Sequence, residues 1–304
     1  MVDQARARVM EMDFWQGEVS VQVMPGGLSN HSFLVEDDGQ KYAVRIGDDR
    51  PEHAVYRYNE IAVSQAAYEA GLSPALVHHE PGAMVFEYLA GSNVIDAAGL
   101  EQTVNMDRLI GTLGQCHLDL SGHLEAPGPI FWVFHLNRRY ARIIMQHGGA
   151  VGSAFGATGT PVLGRLMAMN DELETAIGAI TPVFCHNDLV AENILDDSQR
   201  FWLIDWEYGG WNDGLYDLAC LAAHLDLGAE MADEMLHRYL TLNGEKIGQA
   251  ERRRFAAWKC AALIWAALWG GVGGMFANLD FDYAAYSRER LDHLERASAA
   301  FREL

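Results

Sequence analysis

A change of hydrophobic period along the chain most constrains how these 304 residues fold. From Val19 to Tyr88, apolar residues alternate with polar ones in short runs broken by turns, and beyond about Met106 the pattern becomes mainly helical. Val19 to Val23 reads as a strand, Pro25 to Asn30 as a turn and Ser32 to Val35 as a second strand. Asp38-Gly39 is a tight-turn dipeptide that returns the chain along Lys41 to Ile46. A helix is expected from about Ala54 to Gly71, followed by strands near Leu76 to His79 and Met84 to Tyr88. Three further strands, near Val183 to Cys185, Ile194 to Leu195 and Phe201 to Ile204, interrupt the helical remainder. The sequence thus predicts an α+β fold with a small antiparallel-sheet lobe, residues 1–91, and a larger, mainly helical lobe, residues 92–304. No internal repeat is visible.

Half of the residues are apolar, enough for a large core. With 22 basic and 42 acidic residues, the formal charge of -20 repels nucleic acid and anionic lipid and suits cationic ligands. A solvated acidic surface would account for that charge equally well. The first thirty residues hold no long apolar run, so neither a signal peptide nor a membrane anchor is expected, and the expected compartment is the cytoplasm. Cys116, Cys185, Cys220 and Cys260 form no CxxC pair, which favours reduced core thiols. The stretch Gly148 to Gly164 carries six glycines and reads as a loop or a close helix-packing segment.

Asp188 and Asn193 stand five residues apart, and Asp205 follows twelve residues after Asn193 at the end of an apolar strand. Singly, each would serve to cap a turn or end a strand. Together they supply a carboxylate to orient a hydroxyl and two oxygen ligands of the kind Mg2+ prefers, which is what phosphoryl transfer requires.

The run His186-Asn187-Asp188-x-x-x-x-Asn193, followed by Ile204-Asp205-Trp206-Glu207-Tyr208, resembles the choline/ethanolamine kinase and aminoglycoside phosphotransferase superfamily, whose fold is protein-kinase-like. The resemblance implies ATP and Mg2+ as cofactors. It implies Asp188 as the catalytic base that meets the substrate hydroxyl, Asn193 and Asp205 as metal ligands, and His186 and Asp217 as supports of the loop. Arg45 occupies the place of the phosphate-holding cation, with Glu60 on the next helix as its acid; a solvated helix-face carboxylate is the lesser alternative for Glu60. Gly27, Ser29 and Asn30 lie in a turn placed to cover phosphates. Glu87 and Leu89 flank the hinge position that would offer backbone to adenine.

On the acceptor side the resemblance implies an aromatic cage for a cationic head, built from Tyr208, Trp265, Trp269, Phe281 and Tyr286. Aromatics at helical spacing also serve as core, and the choline-kinase pattern often has two tryptophans three apart, where this chain has a spacing of four with Ala266 between. Phe281 and the tyrosines are expected to follow a Gly-rich break after that helix. Trp211, Asn212 and Asp213 are further candidates for the acceptor lining. The expected reaction is Mg-ATP-dependent phosphorylation of the hydroxyl of choline or a related amino alcohol. An aminoglycoside, thiamine or an amino sugar is the alternative acceptor, and a non-catalytic pseudokinase the alternative class, opposed by the intact Asp188, Asn193 and Asp205. The expected partner is a small cationic alcohol, with no nucleic acid and no membrane; the oligomeric state stays open.

Overall fold

A computed structural model describes residues 2–24, 30–147, 155, 160–276 and 281–304. The first part is an antiparallel sheet of five strands, β1 (Ser20–Val23), β2 (His31–Asp37), β3 (Gln40–Ile46), β4 (Leu76–Glu80) and β5 (Ala83–Glu87), in the order β1-β2-β3-β5-β4. Asp38 and Gly39, both with positive φ, make the β2–β3 turn. Alternation along β2 and β3 buries Phe33, Val35, Val44 and Ile46 on one face. Helix α1 (Val2–Met10), which the sequence pattern did not reveal, covers them with Ala5, Val9 and the following Met12.

Helix α2 (Arg57–Glu69) begins three residues later than expected. Pro51 to His53 form a single 3-10 turn, which Ala54 ends at φ 59°, a left-handed backbone that cannot continue into a helix. Val63, Ala66 and Ala67 of α2 face the main core.

The second part contains β6 (Asn93–Val94), α3 (Ala97–Leu100), α4 (Thr103–Asp119), α5 (Val133–Gln146), α6 (Thr160–Ile177), β7 (Val183–Cys185), β8 (Ile194–Asp196), β9 (Phe201–Leu203), β10 (Gly210–Asn212), α7 (Gly214–His224), α8 (Ala229–Leu242), α9 (Gln249–Phe276) and α10 (Tyr283–Glu303). The short strands pair as β6-β8-β9 and as β7-β10, both antiparallel. They hold the two ends of the segment 186–193 between them.

Helix α9 is the axis of this part, packed by α5, α6, α7 and α10. By length and composition it is apolar enough to cross a bilayer, yet 83% of its most apolar window is buried inside the protein, as in a core helix. The Gly-rich stretch after Trp269 continues α9 instead of breaking it. A Cβ on Gly273 would stand 2.5 Å from the Tyr283 ring and one on Gly271 2.5 Å from Phe155. These glycines therefore admit neighbouring aromatics against the helix. All four cysteines are buried and free.

Trp258 of α9 is fully buried, stacks on Phe134 at 5.4 Å and donates from Nε1 to Asp213 at 2.9 Å. Trp258→Ala is expected to lower unfolding stability by about 3–5 kcal/mol, measured as a fall in the urea midpoint.

Candidate active site

The loop after β7 is held by the Asp217 carboxylate, in the first turn of α7. Its Oδ2 accepts from the His186 backbone N–H at 2.8 Å and its Oδ1 from that of Asn187 at 2.7 Å. His117 of α4 donates Nε2–H to the same carboxylate at 3.0 Å, and the Tyr239 hydroxyl of α8 donates to His117 Nδ1 at 2.7 Å. Cys116, His117 and Asp217 are the metal-ligand types that cluster among the described residues, but His117 and Asp217 are engaged in these bonds and Cys116 Sγ faces the Phe184 carbonyl at 3.8 Å. Neither His117 nor Tyr239 was legible from the sequence, since each is simply a polar residue on an amphipathic helix.

Asn187 adopts φ 66°, a left-handed geometry that asparagine tolerates better than most residues. Its side chain fixes that turn by donating to the Tyr208 and Gly210 carbonyls at 3.0 Å each and accepting from Asn212 at 2.9 Å. His186 accepts the Asp188 N–H at Nδ1, 3.3 Å, so Nε2 carries the proton and donates to the Ile204 carbonyl at 2.8 Å. Burial holds its pKa below the usual histidine value, and the neutral ring supports the loop. Asn193 Nδ2 donates to the Asp188 carbonyl at 2.9 Å, which closes the loop on itself.

Asp205 follows β9 with φ 67° and faces the sheet. There Arg45 of β3 pairs with Glu60 of α2, lies 2.9 Å from Asp205 and approaches Glu207 at 3.7 Å. Arg57 adds a second cation, paired with Glu60, 3.3 Å from Glu207 and donating to Asn30 Oδ1 at 2.7 Å. Glu60 is fully buried, so the solvated-carboxylate alternative does not apply. Burial works against the charge of Arg45, but Asp205, Glu60 and Glu207 outweigh it and raise its pKa. Arg57 and Glu207 were missed at the sequence level, although Arg57 stands three before Glu60 on one helix face.

Burial, then Asp205 and Glu207, push the Asp188 carboxyl well above the usual carboxylate range. Glu60, Asp205 and Glu207 outnumber Arg45 and Arg57; burial, then Asp205 and Glu60, push the Glu207 carboxyl up to about 7, a sign of excess carboxylate at this point. Asn193 spends its Nδ2 on the loop, which leaves an amide oxygen, and Asp205 Oδ1 makes no hydrogen bond of normal geometry. One amide and one carboxylate oxygen beside excess negative charge fit a hard divalent cation such as Mg2+.

A cleft of about 290 Å³ opens between the sheet and this loop, lined by Arg45, Glu87, Leu89, Glu192, Asn193 and Asp205 among others. The sequence-predicted Glu87, Leu89 and Arg45 therefore meet the metal-ligand candidates in one cavity. Gly27 and Ser29 lie outside the described residues.

Two aromatic groups stand in the helical part. Tyr208 meets Trp265 edge-on at 5.2 Å, and Phe131 closes on both at 5.8 and 5.9 Å. Trp269 lies 5.8 Å from both Tyr283 and Tyr286, and Phe281 5.8 Å from Tyr286. Burial raises the pKa of Tyr208 and Tyr286, and the Asp188 charge adds to the rise at both. Trp265 belongs to the first group despite its four-residue spacing from Trp269. Trp211 instead packs on Phe184, and Asp213 binds Trp258 and Arg254, so neither joins the aromatic enclosure. His53, unforeseen in the sequence, lies against Trp269 at 5.4 Å and beside Tyr140. Burial, with Arg50 and Arg139 nearby, pushes its pKa down to about 2.

Asp217→Ala would strand three buried donors and is expected to cost about 3–5 kcal/mol of stability, read from urea unfolding. His53 supplies a pH test. The unfolded chain takes up this proton near pH 6.5 and the folded chain only near pH 2, so the associated stability is complete above 6.5 and falls as pH drops below it. Between about pH 7.5 and about pH 5, wild type should lose about 2 kcal/mol more than His53→Phe, measured by denaturant titration at each pH.

Residues 20–258 match the phosphotransferase enzyme family, APH. Protein LicA of Haemophilus influenzae is 27% identical over 285 residues, which cover 92% of this chain and 78% of LicA. Ethanolamine kinase 2 of Homo sapiens is 26% identical over 304 residues, covering 90% of this chain and 75% of that protein. The crystal structure of a choline/ethanolamine kinase family protein from Mesorhizobium loti aligns with a TM-score of 0.73 at 26% identity, covering 98% of this chain and 94% of that one. The α+β, protein-kinase-like fold agrees with these matches, and the chain belongs to the phosphotransferase enzyme family.

Proposed function

We propose that this enzyme transfers the γ-phosphoryl group of ATP, with Mg2+, to the hydroxyl of choline or a related amino alcohol. The observation that carries the proposal is the loop 186–193, whose Asn193 lines a polar cleft with Asp205 and Arg45 and whose Asn187, next to Asp188, is bonded to the carbonyl of Tyr208 in the aromatic group with Trp265. Similarity to an ethanolamine kinase and to a choline/ethanolamine kinase family structure supports the same acceptor class. In this reading residues 1–91 carry the nucleotide and residues 92–304 the catalytic loop and the acceptor. The enzyme would work in the cytoplasm, where ATP is abundant.

Asn193 and Asp205 would hold Mg2+, which neutralises the triphosphate charge when bound. Arg45, fixed by Glu60, retains a buried Nη2 without a hydrogen-bond partner and presents it to a phosphate oxygen. Asn30 secures Arg57 and so stiffens the same network. Glu87 and Leu89 border the cleft where adenine would lie. Asp188 accepts a hydrogen bond from the acceptor hydroxyl, aims its oxygen at the γ-phosphorus and takes its proton as the bond to phosphorus forms. Its burial favours the protonated product state of that step. Tyr208, Trp265, Trp269, Phe281 and Tyr286 would enclose the ammonium, whose attraction to ring faces survives desolvation. The scarcity of carboxylates on those walls disfavours a polycationic aminoglycoside.

A coupled ADP-release assay with Mg-ATP and choline, ethanolamine, thiamine or kanamycin tests this. Turnover is expected with an amino alcohol, with a fall of about a thousandfold or more in kcat for Asp188→Ala and loss on chelation by EDTA. Equal turnover by Asp188→Ala would refute the mechanism, and preference for kanamycin would refute the acceptor class.

A further inference from the structure

The turn between β3 and α2 is docked on the helical half. Reciprocal backbone bonds of 2.9 and 3.1 Å between Arg50 and Val55 close it, with Ala54 at φ 59° between them. Tyr140 of α5 donates its hydroxyl to the His53 carbonyl at 3.2 Å, and its neighbour Arg139 donates to the Pro51 carbonyl. His53 is fully buried and is held at its ring as well as its backbone, since Nδ1 lies 3.3 Å from the same hydroxyl. Tyr140 gives its one proton to the carbonyl, so its oxygen accepts from Nδ1–H and the imidazole is neutral.

That ring bears on Trp269 of α9, at 5.4 Å between centroids and 44° between planes. The other ring neighbours of Trp269 are Tyr283 and Tyr286 of α10, each at 5.8 Å. The two helices are closely joined there: Ser287 Oγ donates to the Ala267 carbonyl at 2.9 Å, and a Cβ on Gly270 would stand 2.5 Å from Ser287 Oγ and 3.0 Å from the Tyr286 ring. Trp269 is therefore gripped by two rings from α10 and by one ring that comes from the sheet part. Among the described residues, His53 is the one aromatic side chain before α2 in ring contact with the helical half, on Tyr140 and on Trp269.

A ring attracts a cation through its face, so a cage wall serves only while the tilt of that ring is fixed. Resting on the amino-alcohol reading above, we propose that His53 is a positioning residue for the acceptor, fixing the Trp269 ring as a wall of the ammonium site. It acts through Trp269 and does not itself touch the acceptor. An uncharged imidazole suits this place, because it supports the tryptophan without setting a like charge beside the ammonium. The acceptor wall is then completed by a residue of the turn before α2, outside the helices that supply its other rings.

Initial rates with choline or ethanolamine, whichever is turned over faster, give kcat and the KM of acceptor and of ATP for wild type, His53→Ala, Trp269→Ala and the double variant. His53→Ala is expected to raise the acceptor KM about tenfold, with kcat and the KM for ATP within about twofold of wild type. His53→Phe, which returns a ring to Trp269, is expected to bring the acceptor KM back to within about threefold of wild type. Because His53 acts through Trp269, the double variant is expected to show the acceptor KM of Trp269→Ala alone. A role in packing alone would lower stability and active fraction and leave the acceptor KM in place. An unchanged acceptor KM in His53→Ala, or effects of the two substitutions that multiply, overturns this proposal alone. Should His53→Ala fold poorly, Tyr140→Phe decides in its place: it frees the His53 ring and carbonyl, a rise of about threefold in the acceptor KM is expected, and no rise overturns the proposal. Absence of turnover with every amino alcohol overturns the acceptor class and this proposal with it.

Discussion

Five charges, of which Arg57, Glu60 and Glu207 are buried and Arg45 and Asp205 partly so, join the two halves of the molecule. Arg45 comes from the sheet, Arg57 and Glu60 from the helix behind it, and Asp205 and Glu207 from the turn that follows the last strand of the catalytic hairpin. No member could be buried alone, because each is expensive to desolvate and tolerable only with its partners in place. The consequence is geometric: the network sets where Asp205 stands relative to the cleft, and through the Ile204 carbonyl and His186 it is tied to the loop that carries Asp188. Its excess of carboxylate over guanidinium leaves this point electrostatically unfinished, and a divalent cation carrying a triphosphate would complete it.

A second constraint acts from below. The Tyr239–His117–Asp217 chain ends on two peptide N–H groups of the same loop, so three helices together determine its backbone. Asn187, left-handed and bonded at three points to the segment Tyr208 to Asn212, prevents that backbone from relaxing. Asp188 is thereby presented with little freedom, the condition under which a positioned carboxylate contributes most to a transfer reaction.

Much of this was legible in the sequence because it depends on local pattern. Alternation between Val19 and Tyr88 marked the strands, and the spacing of Asp188, Asn193 and Asp205 marked the loop. What escaped depends on contacts between segments far apart. Arg57, His117, Tyr140 and Tyr239 look like ordinary helix residues until the fold brings them to Glu60, Asp217 and His53. Helix α1 was hidden by a weak apolar face, and the glycines after Trp269 suggested a break where they in fact admit Tyr283 and Phe155 against a continuous helix. Trp265, set apart by its four-residue spacing from Trp269, meets both Tyr208 and Phe131.

Asp205, proposed as a Mg2+ ligand, and Arg45, proposed to face phosphate, belong to one network, so cation binding should depend on the nucleotide and on Asp205 together. Electron paramagnetic resonance of Mn2+, titrated with and without a non-hydrolysable ATP analogue, measures this directly. Tight Mn2+ binding that requires the analogue in wild type and disappears in Asp205→Ala is the predicted result. Equal Mn2+ binding by wild type and Asp205→Ala in the presence of the analogue would contradict it.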